Sequence, residues 1–160
     1  MGCFWGAEKR FWNLKGLYTT VVGYAGGHTP DPTYQEVCSG STGHAEVVQV
    51  IYDQGKNSLE DLLKIFWESH DPTQVDRQGN DIGSQYRSII LIEDEKLIDE
   101  IEKSKANFQL KLNSSNLGKI STEIQKLKNF YIAEDYHQKY LHKNPNGYCG
   151  LRGLGINYDV

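Results

Sequence analysis

The sequence predicts a mixed α+β sandwich built around one hydrophobic core. The chain has 160 residues, which is a usual length for one domain. Apolar residues make up 38% of the chain and charged residues 24%, a balance typical of a globular protein. Helix-like and strand-like patterns alternate without a linker or an internal repeat, so we expect them to share one core.

Five segments have the apolar spacing of amphipathic helices. The first pattern ends at Gly16. In the second, Asp31 can cap the helix and Pro32 suits its first position. In the third, Ser58 and Asp61 form a capping pair ahead of the apolar residues. The predicted helices are GAEKRFWNLKG, DPTYQEVCSG, SLEDLLKIFWESHDP, EDEKLIDEIEKSKANFQLKL and AEDYHQKYLHK.

Four segments are rich in β-branched and other apolar residues, as strands are. The second of them is apolar on both faces, which predicts a central position in a sheet. The polar stretch DRQGNDIGSQ, ahead of the third strand, is predicted to be a loop, and NPNGYCGLRGLG an irregular tail. The predicted strands are LYTTVVGYAGG, HAEVVQVIYD, YRSIILI and KISTEI.

The composition argues against several classes of protein. The net charge is −4 and the chain has no run of Lys or Arg, which is unlike a nucleic-acid-binding protein. No apolar stretch approaches the roughly 18 residues of a membrane-spanning helix. Charge appears at Glu8, before the apolar region of a signal peptide can form. We therefore expect a protein of the reducing cytoplasm.

The cysteine and histidine spacings do not indicate a metal site. The three cysteines, Cys3, Cys38 and Cys149, are odd in number and none forms a CxxC pair. The histidines form no HExxH motif and no pair four residues apart. In a reducing compartment such cysteines either fill the core or carry chemistry.

Cys3 is the first candidate for chemistry. It precedes the first helix, whose free N–H groups and dipole favour a thiolate. Phe4 and Trp5 follow it, and two consecutive aromatic residues cannot face the same way, so we expect at least one to lie exposed beside the thiol. A cysteine without function fits the position alone equally well, and the aromatic pair favours the chemical interpretation.

The other two cysteines have different surroundings. Cys149 stands between glycines in GYCGLRGLG, where a mobile backbone suits a thiol that must travel to meet another. Cys38 follows Tyr34 by four residues, so both lie on one helix face. For Cys38 we favour the simpler interpretation, a buried cysteine that acts as a small hydrophobic residue.

Glu46 is the most informative carboxylate. In the second strand it shares a face with Val48 and Val50, where burial would raise its pKa above the ordinary value of a glutamate. A carboxylic acid kept neutral in this way is a general acid, although a strand-end glutamate that reaches solvent is the alternative. Polar residues elsewhere could bind a polar substrate atom, and each alone fits a structural role as well. These are Tyr34, Asp81 and Tyr86.

Other thiol chemistries fit the residues less well. A cysteine phosphatase would need an arginine six residues after the thiol, where Lys9 stands, and Glu8 would repel phosphate. A papain-like hydrolase stays open, but the residues around Cys3 lack that family's pattern. A thiol peroxidase also stays open, as does a binding module that recognises methyl groups on Phe4 and Trp5 without turnover.

Five blocks of the sequence together resemble the A-type peptide methionine sulfoxide reductases. They occur in the expected order from Gly2 to about Gly150. The resemblance implies a two-layer α/β sandwich around a mixed sheet with a ferredoxin-like core. It also implies a single catalytic domain over residues 1–160, in which residues 143–160 form a C-terminal tail with a resolving cysteine. The blocks are GCFWG, GYAGG, PTYQEVCSGSTGHAEVVQV, HDPTQVDRQGNDIGSQYRS and AEDYHQKYLHKNPNGYCG.

The resemblance further implies a reaction and a set of site residues. The reaction is the reduction of methionine-S-sulfoxide, free or in oxidised proteins, without a metal or organic cofactor, and we expect a monomer. Thioredoxin would be the reductant, acting directly on a Cys3–Cys149 disulfide because no cysteine follows Cys149. By this resemblance Cys3 would be the nucleophile that becomes a sulfenic acid, Glu46 would donate the proton, and Cys149 would be the resolving thiol. Phe4 and Trp5 would contact the substrate methyl group. Tyr34 and Tyr86 would bind the sulfoxide oxygen, and Asp81 would help to organise the site.

Overall fold

Helices and strands alternate along the chain, as the sequence predicts. The computed structural model describes residues 1–159. Within them the strands are β1 (Leu17–Ala25), β2 (Ala45–Tyr52), β3 (Arg77–Gln78), β4 (Asp81–Ile82), β5 (Ile89–Ile92), β6 (Glu123–Lys126) and β7 (Phe130–Ile132). The helices are α1 (Phe4–Phe11), α2 (Tyr34–Cys38), α3 (Leu59–Ser69), α4 (Ile98–Ser114) and α5 (Tyr140–Lys143). Turns of 3-10 helix cover Ser84–Tyr86, Glu95–Leu97 and Asp135–His137.

Strand β1 is the centre of the larger sheet. It pairs antiparallel with β2, from Leu17 opposite Tyr52 to Ala25 opposite Ala45, and with β7 on its other edge. The prediction of a central β2 is therefore wrong. The apolar residues on both faces of β2 have another cause, because the strand packs against α1 and lines an apolar groove of about 550 Å³ that it shares with α3 and β5.

Strands β5 and β6 form a parallel pair joined through α4, since parallel strands need a long crossover. Parallel and antiparallel pairing together confirm the mixed fold. The strand predicted at KISTEI is displaced, because β6 begins only at Glu123. The backbone before β6 is bonded elsewhere. The Ile120 N–H donates to the Gln109 side chain, and the Ser121 N–H donates to the Pro72 carbonyl.

The polar segment predicted as a loop contains a short hairpin. Arg77 pairs with Ile82 and Gln78 with Asp81, which fixes the position of the Asp81 carboxylate. The next strand starts later than predicted, because Tyr86 belongs to the 3-10 turn and β5 begins at Ile89. Asp81 and Tyr86, two of the possible substrate contacts named from the sequence, therefore lie in this hairpin and in the 3-10 turn that follows it, before β5.

The caps of α2 and α3 follow local sequence rules. Helix α2 begins after Thr33, whose hydroxyl accepts the Glu36 N–H while the Glu36 carboxylate accepts the Thr33 N–H. The sequence predicts Asp31 as the cap and Pro32 as the first helical residue, and both predictions are wrong. The capping pair predicted for α3 is present.

The last predicted helix is interrupted in the middle. A 3-10 turn at Asp135–His137 and the single turn of α5 replace one continuous helix. Between them Lys139 has a left-handed φ of 52°. Its N–H and its ammonium group both donate to the fully buried carboxylate of Glu8, at 3.1 and 2.8 Å, and the Thr20 hydroxyl donates to the same carboxylate at 2.8 Å. This tertiary contact outweighs the helical pattern.

Two hydrophobic clusters fill the interior. The larger joins α1, α3 and α4 to the C-terminal tail, where Leu151 and Tyr158 are buried. Residues 144–159 contain no helix or strand, as predicted for the tail. No helix within residues 1–159 is long and apolar enough to cross a membrane. The smaller cluster lies under the start of α1 and consists of Phe4, Val22, Tyr24, Val37 and Ala133.

Candidate active site

One small cavity collects most of the side chains proposed from the sequence. Its volume is about 170 Å³. Of the eight predicted site residues, only Cys149 is not part of the wall, and its neighbour Tyr148 takes a place there. The walls are formed by Cys3, Phe4, Trp5, Tyr34, Glu46, Asp81, Tyr86 and Tyr148.

Cys3 is the N-cap of α1 and is partly buried. The backbone N–H groups of Trp5 and Gly6 favour the thiolate and lower the pKa of the thiol, as predicted for a helix start, although Cys3 makes no side-chain capping hydrogen bond within residues 1–159. Burial has the larger effect, however, and it raises the pKa of the thiol, with the Glu46 carboxylate acting in the same direction. The predicted effect of the helix start is therefore present, but the loss of water around the sulfur outweighs it, and the thiol of the free site holds its proton.

Glu46 is a buried acid at the start of β2. Its side chain is 3% exposed, and its register partner on β1 is Tyr24. Burial raises the pKa of Glu46 to about 8, and the Asp81 carboxylate adds to the rise. One oxygen accepts the Phe4 N–H at 3.0 Å, which lowers the pKa but does not outweigh burial. The predicted rise is confirmed, and at neutral pH the group holds a proton that it can donate.

The two aromatic residues after Cys3 differ in exposure, as predicted. Phe4 is buried and packs against Tyr24, with ring centroids 5.8 Å apart. Trp5 is partly exposed and stacks on Tyr140 at 3.7 Å, and its indole N–H donates to Nδ1 of His137 at 3.0 Å. The orientation of the tryptophan ring is thus fixed from the segment around α5.

Glu134 connects strand β1 to the first residue of helix α2, Tyr34. One of its oxygens accepts the hydroxyl of Tyr24 at 2.9 Å, and the other accepts the N–H of Tyr34 at 3.2 Å. Burial raises the pKa of Tyr34 and of Tyr86, so both hydroxyls stay protonated and can donate hydrogen bonds into the cavity. The hydrogen bond from its N–H to Glu134 holds Tyr34 in place at the first turn of α2.

Asp81 is linked to the C-terminal tail. The Tyr148 hydroxyl donates to an oxygen of Asp81 at 3.3 Å, which places a tail residue across the mouth of the cavity. Burial raises the pKa of Asp81. The carboxylate thus has a partner in the residue next to Cys149.

Sequence reasoning missed four residues of this region. Tyr148 lines the cavity, His137 and Tyr140 hold Trp5, and Glu134 holds Tyr34. The sequence suggests the histidines only as metal ligands or as members of a hydrolase triad, and no local spacing connects residue 137 with residue 5. For Tyr148 a signal existed, since it directly precedes Cys149 in the sequence.

The three cysteines are all free thiols. Cys149 is exposed, and its sulfur lies against Gly6 of α1. Cys38 is exposed as well, so the prediction of a buried core cysteine is wrong; it is the last residue of the short helix α2. Among residues 1–159 no group of three or more His, Cys, Asp or Glu side chains could hold a metal ion.

Comparisons with known proteins agree with this arrangement. The family model of the peptide methionine sulfoxide reductases matches residues 1–155. The chain is 58% identical over 160 residues to the mitochondrial peptide methionine sulfoxide reductase of Homo sapiens, covering all of this chain and 68% of the human one. It is 59% identical over 160 residues to the peptide methionine sulfoxide reductase MsrA of Brucella anthropi, covering all of this chain and 73% of the relative.

A solved structure shows the same fold. Methionine sulfoxide reductase A of Corynebacterium diphtheriae matches with a TM-score of 0.89 and 46% identity, over 93% of this chain and 74% of that chain. The chain belongs to the peptide methionine sulfoxide reductase family, whose members are oxidoreductases.

Proposed function

We propose that the chain reduces the S epimer of methionine sulfoxide, free and in oxidised proteins, with Cys3 as the nucleophile and Glu46 as the proton donor. The observation that carries the proposal is the neutral, buried acid facing the same small cavity as the thiol. An oxygen atom leaves sulfur far more readily when it is protonated. A thiol beside such an acid is therefore suited to remove the sulfoxide oxygen.

The first step transfers this oxygen to Cys3. The Cys3 thiolate attacks the sulfoxide sulfur and forms a sulfur–sulfur bond, while Glu46 protonates the oxygen. The resulting hydroxyl group then moves from the methionine sulfur to the Cys3 sulfur. The bonds from the methionine sulfur to oxygen and to Cys3 break in this rearrangement, and the methionine sulfur keeps one electron pair. Methionine is reduced by two electrons, and Cys3 is oxidised to a sulfenic acid. No net proton is consumed, because the thiol loses one and the sulfenic acid keeps one.

The walls of the cavity suit the two ends of a methyl sulfoxide. Phe4 and Trp5 supply apolar surface for the methyl group, and the hydroxyls of Tyr34 and Tyr86 can donate hydrogen bonds to the oxygen. A volume of about 170 Å³ leaves little room beyond the sulfinyl end of the side chain. Asp81, through its bond with Tyr148, keeps the mouth of the cavity in place.

The second step restores the thiol. Cys149 attacks the Cys3 sulfur, water leaves with the former sulfoxide oxygen, and a Cys3–Cys149 disulfide forms. Thioredoxin reduces this disulfide and returns both thiols. The support for Cys149 is its exposed thiol in an irregular segment beside α1. No metal or organic cofactor takes part in this scheme.

We also propose that the chain works as a monomer in the cytoplasm. Three free cysteines fit a reducing compartment. The net charge of −4 is unlike that of most nucleic-acid-binding proteins. Size-exclusion chromatography with light scattering tests the oligomeric state, and cell fractionation tests the location.

The epimers of the substrate provide the test. The chain is incubated with racemic methionine sulfoxide and dithiothreitol, and the remaining epimers are separated by chiral chromatography. We expect the S epimer to disappear and the R epimer to persist, and Cys3→Ser to consume neither. Equal consumption of both epimers, or activity in Cys3→Ser above a tenth of the wild-type value, would contradict the proposal.

A further inference from the structure

Gly6 is a glycine in the first turn of helix α1, and alanine has the higher helix propensity. Its backbone is not in the left-handed region, so the helix itself does not require glycine there. The residue is also buried. The reason for a glycine must therefore lie in the space that a side chain would take.

The missing side chain leaves room for the C-terminal tail. A Cβ atom on Gly6 would lie 3.1 Å from the Cys149 sulfur and 3.2 Å from Cβ of Leu151. Ordinary carbon contacts are about 3.5–4.0 Å, and a carbon–sulfur contact is no shorter. The tail cannot move aside freely, because Leu151 is buried and its carbonyl accepts a hydrogen bond from Arg10 of α1 at 2.8 Å.

Gly6 also acts on the other thiol of the proposed reaction. Its N–H group favours the thiolate of Cys3, which is the N-cap three residues earlier on the same helix. Gly6 therefore lies beside both cysteines that the proposed function joins, since its N–H group acts on Cys3 and its missing Cβ leaves space for the Cys149 sulfur.

We propose that Gly6 is a positioning residue for disulfide formation, because the absence of a side chain keeps open the approach of Cys149 to Cys3. This rests on the proposed function. In the step concerned, a Cys149 thiolate forms a bond to the Cys3 sulfur, and the bond between that sulfur and oxygen breaks. The oxygen leaves as water with the proton of the sulfenic acid and one from solvent. Cys149 is oxidised and Cys3 is reduced.

The substitution Gly6→Ala tests the proposal kinetically. Enzyme is mixed with methionine sulfoxide without reductant, and released methionine and the Cys3–Cys149 disulfide are followed separately by mass spectrometry. We expect the ratio of the disulfide rate to the methionine rate to fall at least about tenfold, since an ångström of misplacement can cost about 10²-fold in rate. Sulfenic acid, trapped with dimedone, should accumulate. The exposed helix residue Lys9 supplies the control, and Lys9→Ala should leave the ratio unchanged.

A stability cycle keeps the proposal testable if Gly6→Ala folds poorly. Thermal midpoints are compared for Gly6→Ala in the wild type and in Cys149→Ala, which lacks the sulfur. The loss caused by Gly6→Ala should be smaller in the Cys149→Ala background. Equal losses would show that the added methyl group presses on Leu151 alone, and they would overturn the proposal.

Two kinetic outcomes would also overturn it. One is a wild-type rate of disulfide formation in Gly6→Ala. The other is an equal fall of both rates, which would mean that the residue acts on Cys3 alone. If the wild type itself forms no Cys3–Cys149 disulfide, the resolving step of the proposed function fails, and the stability cycle still tests the contact between Gly6 and Cys149.

Discussion

Glu46 shows how burial can create a reactive group. The carboxyl group accepts the Phe4 N–H, which lowers its pKa, but desolvation has the larger effect and decides its protonation state. The substitution Glu46→Gln keeps the shape and removes the proton. We expect the single-turnover release of methionine to slow by about 10²- to 10⁴-fold, the usual range for general acid catalysis.

Single-turnover measurement is needed because slow regeneration could hide this effect in steady state. Glu102→Gln, at an exposed position of α4, serves as a matched control and should keep the wild-type rate. Equal rates for Glu46→Gln and the wild type would rule out the role of proton donor.

The raised pKa of Glu46 predicts how the stability of the fold changes with pH. The pKa of Glu46 is about 8 in the folded chain and ordinarily 4.5, so between these values the folded state binds a proton that the unfolded state has lost. The contribution of Glu46 to the free energy of unfolding is therefore largest below pH 4.5, and it is lost as pH rises from there through 8. The slope is at most about 1.4 kcal/mol per pH unit.

Urea unfolding at pH 5, 6.5 and 8 measures this linkage. The free energy of unfolding of Glu46→Gln, relative to the wild type, should rise steadily across the series. Glu102→Gln, at an exposed position of α4, should show a constant difference. Parallel curves for Glu46→Gln and the wild type would contradict the raised pKa.

At the scale of elements, Glu134 joins β1 to the start of α2. It accepts a hydrogen bond from Tyr24 and one from the Tyr34 backbone, so it fixes where the Tyr34 hydroxyl enters the cavity. In Glu134→Gln the new NH₂ group faces one of these donors and a bond is lost. Hydrogen bonds to charged groups contribute about 1.5–3 kcal/mol, so we expect kcat/KM to fall about tenfold or more.

A Tyr34→Phe background separates positioning from general destabilisation. If Glu134 acts through the Tyr34 hydroxyl, Glu134→Gln should have little further effect once that hydroxyl is absent. The same fold-loss in both backgrounds would show that Glu134 acts elsewhere. Thermal midpoints of all four chains check that each remains folded.

The elements also show where sequence reasoning succeeds. The capping pair of α3, the buried acid on β2 and the unequal exposure of Phe4 and Trp5 depend on near neighbours and on burial, and they were predicted correctly. The distant residues of the site were assigned to one site from the sequence only through the blocks that resemble a known family. No residue spacing alone would have joined Asp81 to Cys3.

The failures have a common physical cause. The last predicted helix is broken because Lys139 bonds to a carboxylate that is buried 131 positions earlier in the chain. Strand β2 is apolar on both faces because it packs against α1 and lines an apolar groove, and within residues 1–159 its sheet contains no strand beyond it. Such contacts between distant segments cannot be read from local patterns.

At the scale of the whole molecule, the fold places the two ends of the chain side by side. The start of α1 carries Cys3, and the tail carrying Cys149 is anchored on the same helix through Arg10. Beyond Cys149 the tail is held again, because the Tyr158 hydroxyl donates to Ser104 at 2.9 Å. Movement of Cys149 toward Cys3 is therefore confined to the segment before Leu151.

This arrangement predicts what happens when the tail thiol is removed. Cys149→Ser should release the first methionine at the wild-type rate, because the first step needs only Cys3. It should then stop after about one methionine per chain and hold a sulfenic acid that dimedone traps. Thioredoxin should fail to restart it efficiently, since no disulfide has formed for it to reduce.

Cys38→Ser is the matched control, because it removes the other exposed thiol. This variant should still form the Cys3–Cys149 disulfide, which mass spectrometry of unreduced peptides detects. Cys38 is the less suitable partner because its helix is closed at the start by the Thr33 and Glu36 cap and offers little freedom to move. A disulfide between Cys3 and Cys38, or normal thioredoxin-dependent turnover by Cys149→Ser, would transfer the resolving role away from the tail.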